Sequence, residues 1–155
     1  MSETGFVLKV ESHPYFQRFK PEHLAILEKC ASMAEFEPGS HLFHEKERAT
    51  RQYLIVEGRV ALDLHVPGRD PWTLMTAGEG GIVGYAWAYP PHRYYYTCRA
   101  VDKTRAIVLD AEYLAKKCKE DTDFGYEVMV GCTSIMAERL QAAELQLLNL
   151  VLKCY

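Results

Sequence analysis

Residues 78–100, GEGGIVGYAWAYPPHRYYYTCRA, hold the side chains best placed to do chemistry in this chain. A glycine-rich turn opens the stretch, and a segment suited to one helical turn follows. A double proline and a run of tyrosines beside Arg93 complete it. Glycines let backbone approach a ligand closely, and the start of a short helix aims N–H groups at an anion. An arginine adds charge for the same purpose. The layout is that of a loop that cradles a small anionic ligand. The candidate ligand-binding residues are Gly84, Tyr85, Ala86, Trp87, Arg93, Tyr94 and Tyr95. A tyrosine can fill volume, stack on a planar ring and donate one hydrogen bond. Two readings stay open: a pocket rebuilt for a flat, less charged ligand, or a pocket plugged by its own side chains.

Other chemistries have weaker support. His41 and His44 lie three apart on an expected strand, so alternation sends them to opposite faces and they cannot share a metal. A small metal-dependent, cupin-like enzyme is the alternative function, although only half of its H-x-H pattern is present. His65 and His92 are the remaining candidates for an axial haem ligand. No Ser-His-Asp order, phosphate loop or nucleophile elbow can be picked out. The expectation is therefore no enzyme, no metal and no cofactor.

Composition bounds the answer further. A chain of 155 residues suits one domain with a hydrophobic core, and 48% of its residues are hydrophobic, which excludes a disordered segment. The formal charge of −3, without a block of like charges, argues against nucleic acid as the main partner. The five cysteines are odd in number and lack C-x-x-C spacing, so reduced thiols in a cytoplasmic protein are expected. The N-terminal residues lack signal-peptide character, and no apolar run is long enough to span a membrane.

Those site residues must be held by elements that the spacing outlines. Residues 13–30 read as helical, with Pro21 and Glu22 suited to a first turn. Leu24, Leu27 and Cys30 share a face there, and Tyr15, Phe16 and Phe19 form an aromatic knot. Strands are expected at 33–37, 41–44, 53–57, 59–66, 72–76, 94–101 and 104–109, punctuated by Gly and Pro turns. Val60, Leu62 and Leu64 alternate with Arg59, Ala61, Asp63 and His65, which predicts one dry and one wetter face. Asp110 is an N-cap for 111–119, and Asp121 or Thr122 starts a last helix. In that helix Met136, Leu140, Ala143, Leu147, Leu150 and Cys154 recur at steps of four and three, the pattern of a dimer seam. The other reading is that the helix packs on its own roll. The fold class is mainly β with flanking helices: a double-stranded β-helix, or jelly roll, at about 31–109, with helices at about 110–155.

This order of elements resembles the cyclic-nucleotide-binding domain of catabolite activators, kinase regulatory subunits and gated channels. The resemblance spans roughly residues 13–150. It rests on Phe36, Pro38 and Gly39, on Tyr53-Leu54-Ile55-Val56 with Gly58 and Val60, on Gly78-Glu79 and Val83-Gly84, on Thr97, Cys98 and Ala100, and on Leu109-Asp110. The family's phosphate-binding cassette reads F-G-E-x-A-L, then P-R-x-A. Its glutamate binds the ribose 2′-hydroxyl, and its arginine neutralises the cyclic phosphate. Aligned without gaps, the glutamate position falls on Tyr85, the arginine position on Tyr94 and the preceding proline on Arg93. Glu47 stands where the family usually has glycine. Arg93 could supply the missing charge if the loop slips by one residue; on a regular strand it would point to solvent.

The resemblance implies a single, stand-alone sensor or regulatory domain over 1–155, without a DNA-binding domain, because the chain ends where a helix-turn-helix would begin. It implies a small ligand, anionic or nucleotide-like, with weakened or lost cyclic AMP binding. It also implies a homodimer through the last helix, a signal passed to a protein partner, and no direct contact with DNA or membrane. A ligand-free scaffold of the same fold is the remaining alternative.

Overall fold

The computed structural model describes residues 13–155, so the reading of the first twelve residues lies outside the described ones. A 3-10 turn at Pro14–Arg18 precedes helix α1 at Pro21–Cys30. The sequence expectation of one helical stretch over 13–30 is thus corrected. Pro21 lacks an N–H and pushes Lys20 into extended backbone (ψ 152°), which separates the two pieces. Tyr15, Phe16 and Phe19 are buried, and the Tyr15 and Phe19 rings lie 5.2 Å apart.

Eight strands follow: β1 (Ala31–Phe36), β2 (His41–Phe43), β3 (Arg51–Glu57), β4 (Val60–Leu64), β5 (Trp72–Ala77), β6 (Ile82–Val83), β7 (Thr97–Ala100) and β8 (Thr104–Asp110). They form two antiparallel four-stranded sheets, ordered β1-β8-β3-β6 and β2-β7-β4-β5, the two halves of a jelly roll. β3 and β8 carry the centre of the core, where Leu54, Ile55, Ile107 and Leu109 are fully buried. β4 departs from the expected alternation: Ala61 and Asp63 are as buried as Val60 and Leu62. The Asp63 carboxylate is satisfied by Arg99 Nε at 3.0 Å and Thr73 Oγ1 at 2.6 Å, so the expected wetter face is dry at Ala61 and Asp63, while Arg59 and His65 stay exposed.

Two helices close the chain, α2 (Ala111–Glu120) and α3 (Thr122–Lys153). Both aspartate caps are in place: Asp110 accepts from Tyr113 N at 2.9 Å, and Asp121 from Phe124 N at 3.1 Å. Gly125 lets the helices touch, since a Cβ there would meet the Cys118 carbonyl oxygen at 2.6 Å. The first third of α3 packs on the roll through Phe124, Val128 and Cys132. Met136 still packs against the core, but Leu140, Ala143, Leu147 and Leu150 are exposed. Among the described residues no helix is long and apolar enough to cross a membrane.

Candidate functional site

β6 and the 3-10 turn at Tyr85–Ala88 form the start of the cassette. The sequence alone predicts a turn over residues 78–84, where the structure has β6. A two-residue strand is too short to show periodicity, and only pairing with Tyr53 and Leu54 defines it. Gly84 joins the two pieces with left-handed backbone, φ +83°. A Cβ at that position would come within 3.0 Å of the Arg51 carbonyl, so the close approach favours glycine twice over.

The cassette's second half departs from expectation too. The strand predicted over 94–101 begins only at Thr97. Before it, residues 92–94 pair with the loop ahead of β3. Lys46 N donates to Tyr94 O at 2.8 Å, Tyr94 N to Glu47 O at 2.9 Å, and Ala49 N to His92 O at 2.8 Å.

This pairing turns the Tyr94 side chain inward. Its ring stacks on Phe43 with centroids 4.0 Å apart. Its hydroxyl donates to the Arg51 carbonyl at 2.7 Å and accepts from the Arg51 N–H at 3.0 Å. Burial pushes the Tyr94 phenol up to about 12, so it stays neutral at ordinary pH.

Tyr85 is the second buried phenol of the site, and its partner comes from far along the chain. Arg139, on α3, donates from Nη1 to the Tyr85 hydroxyl at 3.0 Å and from Nη2 to the Ile82 carbonyl. Its guanidinium also lies 4.9 Å from the Tyr85 ring centre. Sequence reasoning missed Arg139. The available signal was its place three residues after Met136, on the same face of α3 that packs on the roll.

Five of the seven expected ligand residues line one cavity: Gly84, Tyr85, Ala86, Tyr94 and Tyr95, joined by Phe43, Tyr89 and Arg139. Its volume is about 70 Å³. Small-molecule sites run to about 300–1,000 Å³, and one water in the liquid takes about 30 Å³. The other two residues lie elsewhere. Arg93 is exposed and donates from Nη1 to the Lys46 carbonyl at 2.9 Å. Trp87 is buried on the far side of the turn, where its Nε1 donates to Gln52 Oε1 at 2.7 Å.

His41 and His44 depart from the expected strand alternation. The His41 and His44 rings lie 4.7 Å apart, not on opposite faces. β2 ends at Phe43, and its register against β7 shifts between His41 and Phe43, so strand alternation does not reach His44. Even so, among the described residues no group of three or more His, Cys, Asp or Glu side chains is placed to hold a metal. All five cysteines are free.

A jelly roll with a cassette turn and a long last helix is the architecture of a cyclic-nucleotide-binding-like domain. The family profile of the cyclic nucleotide-binding domain matches residues 33–121, and the chain belongs to that family. A CRP-like cAMP-activated global transcriptional regulator of Mycobacterium tuberculosis is 22% identical over 136 residues, covering 88% of this chain and 59% of that protein. The chain thus spans little more than half the length of that curated relative. Among solved structures, a proposed cyclic nucleotide-binding protein of Geobacter metallireducens GS-15 aligns with a TM-score of 0.77 at 21% identity, covering 90% of this chain and 98% of that one. A cyclic nucleotide-binding domain of Methylobacillus flagellatus KT gives 0.76 at 19% identity, covering 92% and 80%. These likenesses establish the fold.

Proposed function

We propose that this chain is a regulatory module of the family whose cassette no longer takes cyclic AMP with ordinary affinity. The observation that carries the reading is the Tyr94 clamp. A ring stacked on Phe43 and bonded twice to the Arg51 backbone occupies the position that the resemblance assigns to the phosphate-binding arginine. Losing a buried arginine–phosphate contact costs a few kcal/mol, or about two decades in affinity. Arg139 supports a small anionic ligand in place of the nucleotide, because it is the cation that lines the cavity. The signal leaves by α3, whose exposed Leu140, Leu147 and Leu150 would pair with a second copy, and by a protein partner rather than by DNA. No catalysis is assigned to the module.

Titration calorimetry with cyclic AMP tests the cassette. No saturable heat is expected for the unaltered chain in the micromolar range, and a tight isotherm would overturn the reading. Joint replacement Tyr85→Glu and Tyr94→Arg should raise affinity at least about a hundredfold. The filled cavity also favours the ligand-free scaffold as a second reading. A thermal-shift screen of small anions separates the two, since a ligand of the native state raises the melting temperature and a scaffold shows no shift.

A further inference from the structure

A second cavity, of about 810 Å³, opens on the other side of the Tyr85–Ala88 turn. Trp87 and Ala88 form one wall, while Ala115 of α2 and Met129 of α3 form the other. The lining is mainly apolar, but its charged members are unusual for an acidic protein. Arg48, Lys116 and Lys119 face a single carboxylate, Glu112, although the chain as a whole carries −3. Among the described residues Arg48 and Lys119 make no ion pair. Lys116 lies 4.0 Å from Glu120, a carboxylate that Lys117 holds more closely at 3.1 Å. His92 adds a further polar group. Its Nδ1 donates to the Trp87 carbonyl at 2.8 Å, which leaves Nε2 for another partner.

The dimensions fall in the range of small-molecule sites, unlike those of the cassette cavity. Apolar walls reward burial of a hydrocarbon or aromatic body, at about 25 cal/mol per Å². Uncommitted cations beside them reward an anionic head through charge-assisted hydrogen bonds. We propose that this groove binds an amphiphilic organic anion, its apolar body against Trp87, Ala115 and Met129 and its carboxylate or phosphate head among Arg48, Lys116 and Lys119. The proposal stands apart from whatever the cassette cavity holds. The two sites share only the Tyr85–Ala88 turn as a common wall.

Calorimetry with dodecanoate and with dodecyl phosphate, each below its micellar concentration, tests both head groups. One-to-one binding is expected for at least one of them, and none for the neutral dodecyl maltoside. Cys118 lines the groove and Cys154 is exposed at the end of α3, so alkylation read peptide by peptide locates the ligand. Occupancy should slow Cys118 and leave Cys154 unchanged. The joint variant Lys116→Glu, Lys119→Glu alters exposed side chains and should weaken binding at least tenfold with melting unchanged. Ala115→Trp, which fills the groove, should abolish binding. Parental affinity in the charge-reversed variant, slowing of Cys154 alone, or binding only of a Leu/Glu-rich peptide in place of either amphiphile would each overturn the proposal.

Discussion

The two cavities flanking the Tyr85–Ala88 turn differ more than tenfold in volume, about 70 against 810 Å³. The smaller is where the family resemblance directs attention. There the buried phenols are bonded within the fold: Tyr94 is tied to the Arg51 backbone and Tyr85 to Arg139. The larger is bordered by Arg48 and Lys119, which lack such ties among the described residues, and by Lys116, 4.0 Å from Glu120. A polar group already bonded inside the fold contributes to stability, and a ligand must displace that bond to use it. An uncommitted group on an open rim contributes little to stability and is ready for a ligand. The contrast teaches that in this domain the residues of a cassette serve the fold while a far wider cavity lies next door.

The sharpest test of that contrast is truncation on each side of the turn. Tyr94→Ala removes a ring that is only 5% exposed, together with both of its hydrogen bonds. Stability in urea should fall by about 3–5 kcal/mol, as for large aromatic truncations in cores. Tyr126→Ala, on the lip of the groove and 71% exposed, should change stability by less than about 0.5 kcal/mol. Equal losses at the two positions would erase the comparison.

A smaller effect is expected at the link between cassette and helix. Arg139→Met keeps the stem of the side chain but loses the bonds to Tyr85 and Ile82. A loss of about 1 kcal/mol is expected from denaturation, since the group is half-buried. A change within error would mean that the guanidinium is held for a ligand rather than for the fold.

The smallest effect is a slope. Tyr94 has its phenol raised to about 12 by burial, against an ordinary value near 10. Its neutral form is favoured in the folded state, so its contribution is complete below pH 10. It is lost as the pH rises from 10 through 12. Denaturation followed across that window should therefore be less steeply pH-dependent in Tyr94→Phe than in the unaltered chain. Buried Cys98 and Cys132, also raised to about 12, keep part of the slope in both.

Much of the fold was legible in the residues. Gly and Pro punctuation marked most of the strands; Asp110 caps the helix it was expected to cap, and of the two expected starts of the last helix, Asp121 is the cap. Both signals are local, because a turn or a cap is decided within three or four residues. The expectations that failed depended on neighbours. The burial of Asp63 on β4 needed Arg99 and Thr73 to satisfy its carboxylate. The approach of His41 to His44 needed a register shift against β7.

The site divides the same way. Gly84, Tyr85, Ala86 and Tyr94 could be picked out because they stand in one continuous stretch whose composition is unusual. Their orientation could not. Whether Arg93 or Tyr94 faces inward depends on how residues 92–94 pair with residues 46–49. The cation that reaches the pocket comes from Arg139, 54 residues beyond the tyrosine it binds. By itself the sequence determined a jelly roll with a cassette that lacks its charged pair, because strand spacing and residue type are properties of short segments. Only the tertiary structure decided that the cassette cavity is narrowed to about 70 Å³ and that a wider, cation-rimmed groove lies behind it. Volume and charge at a site are set by side chains from distant segments brought together by packing.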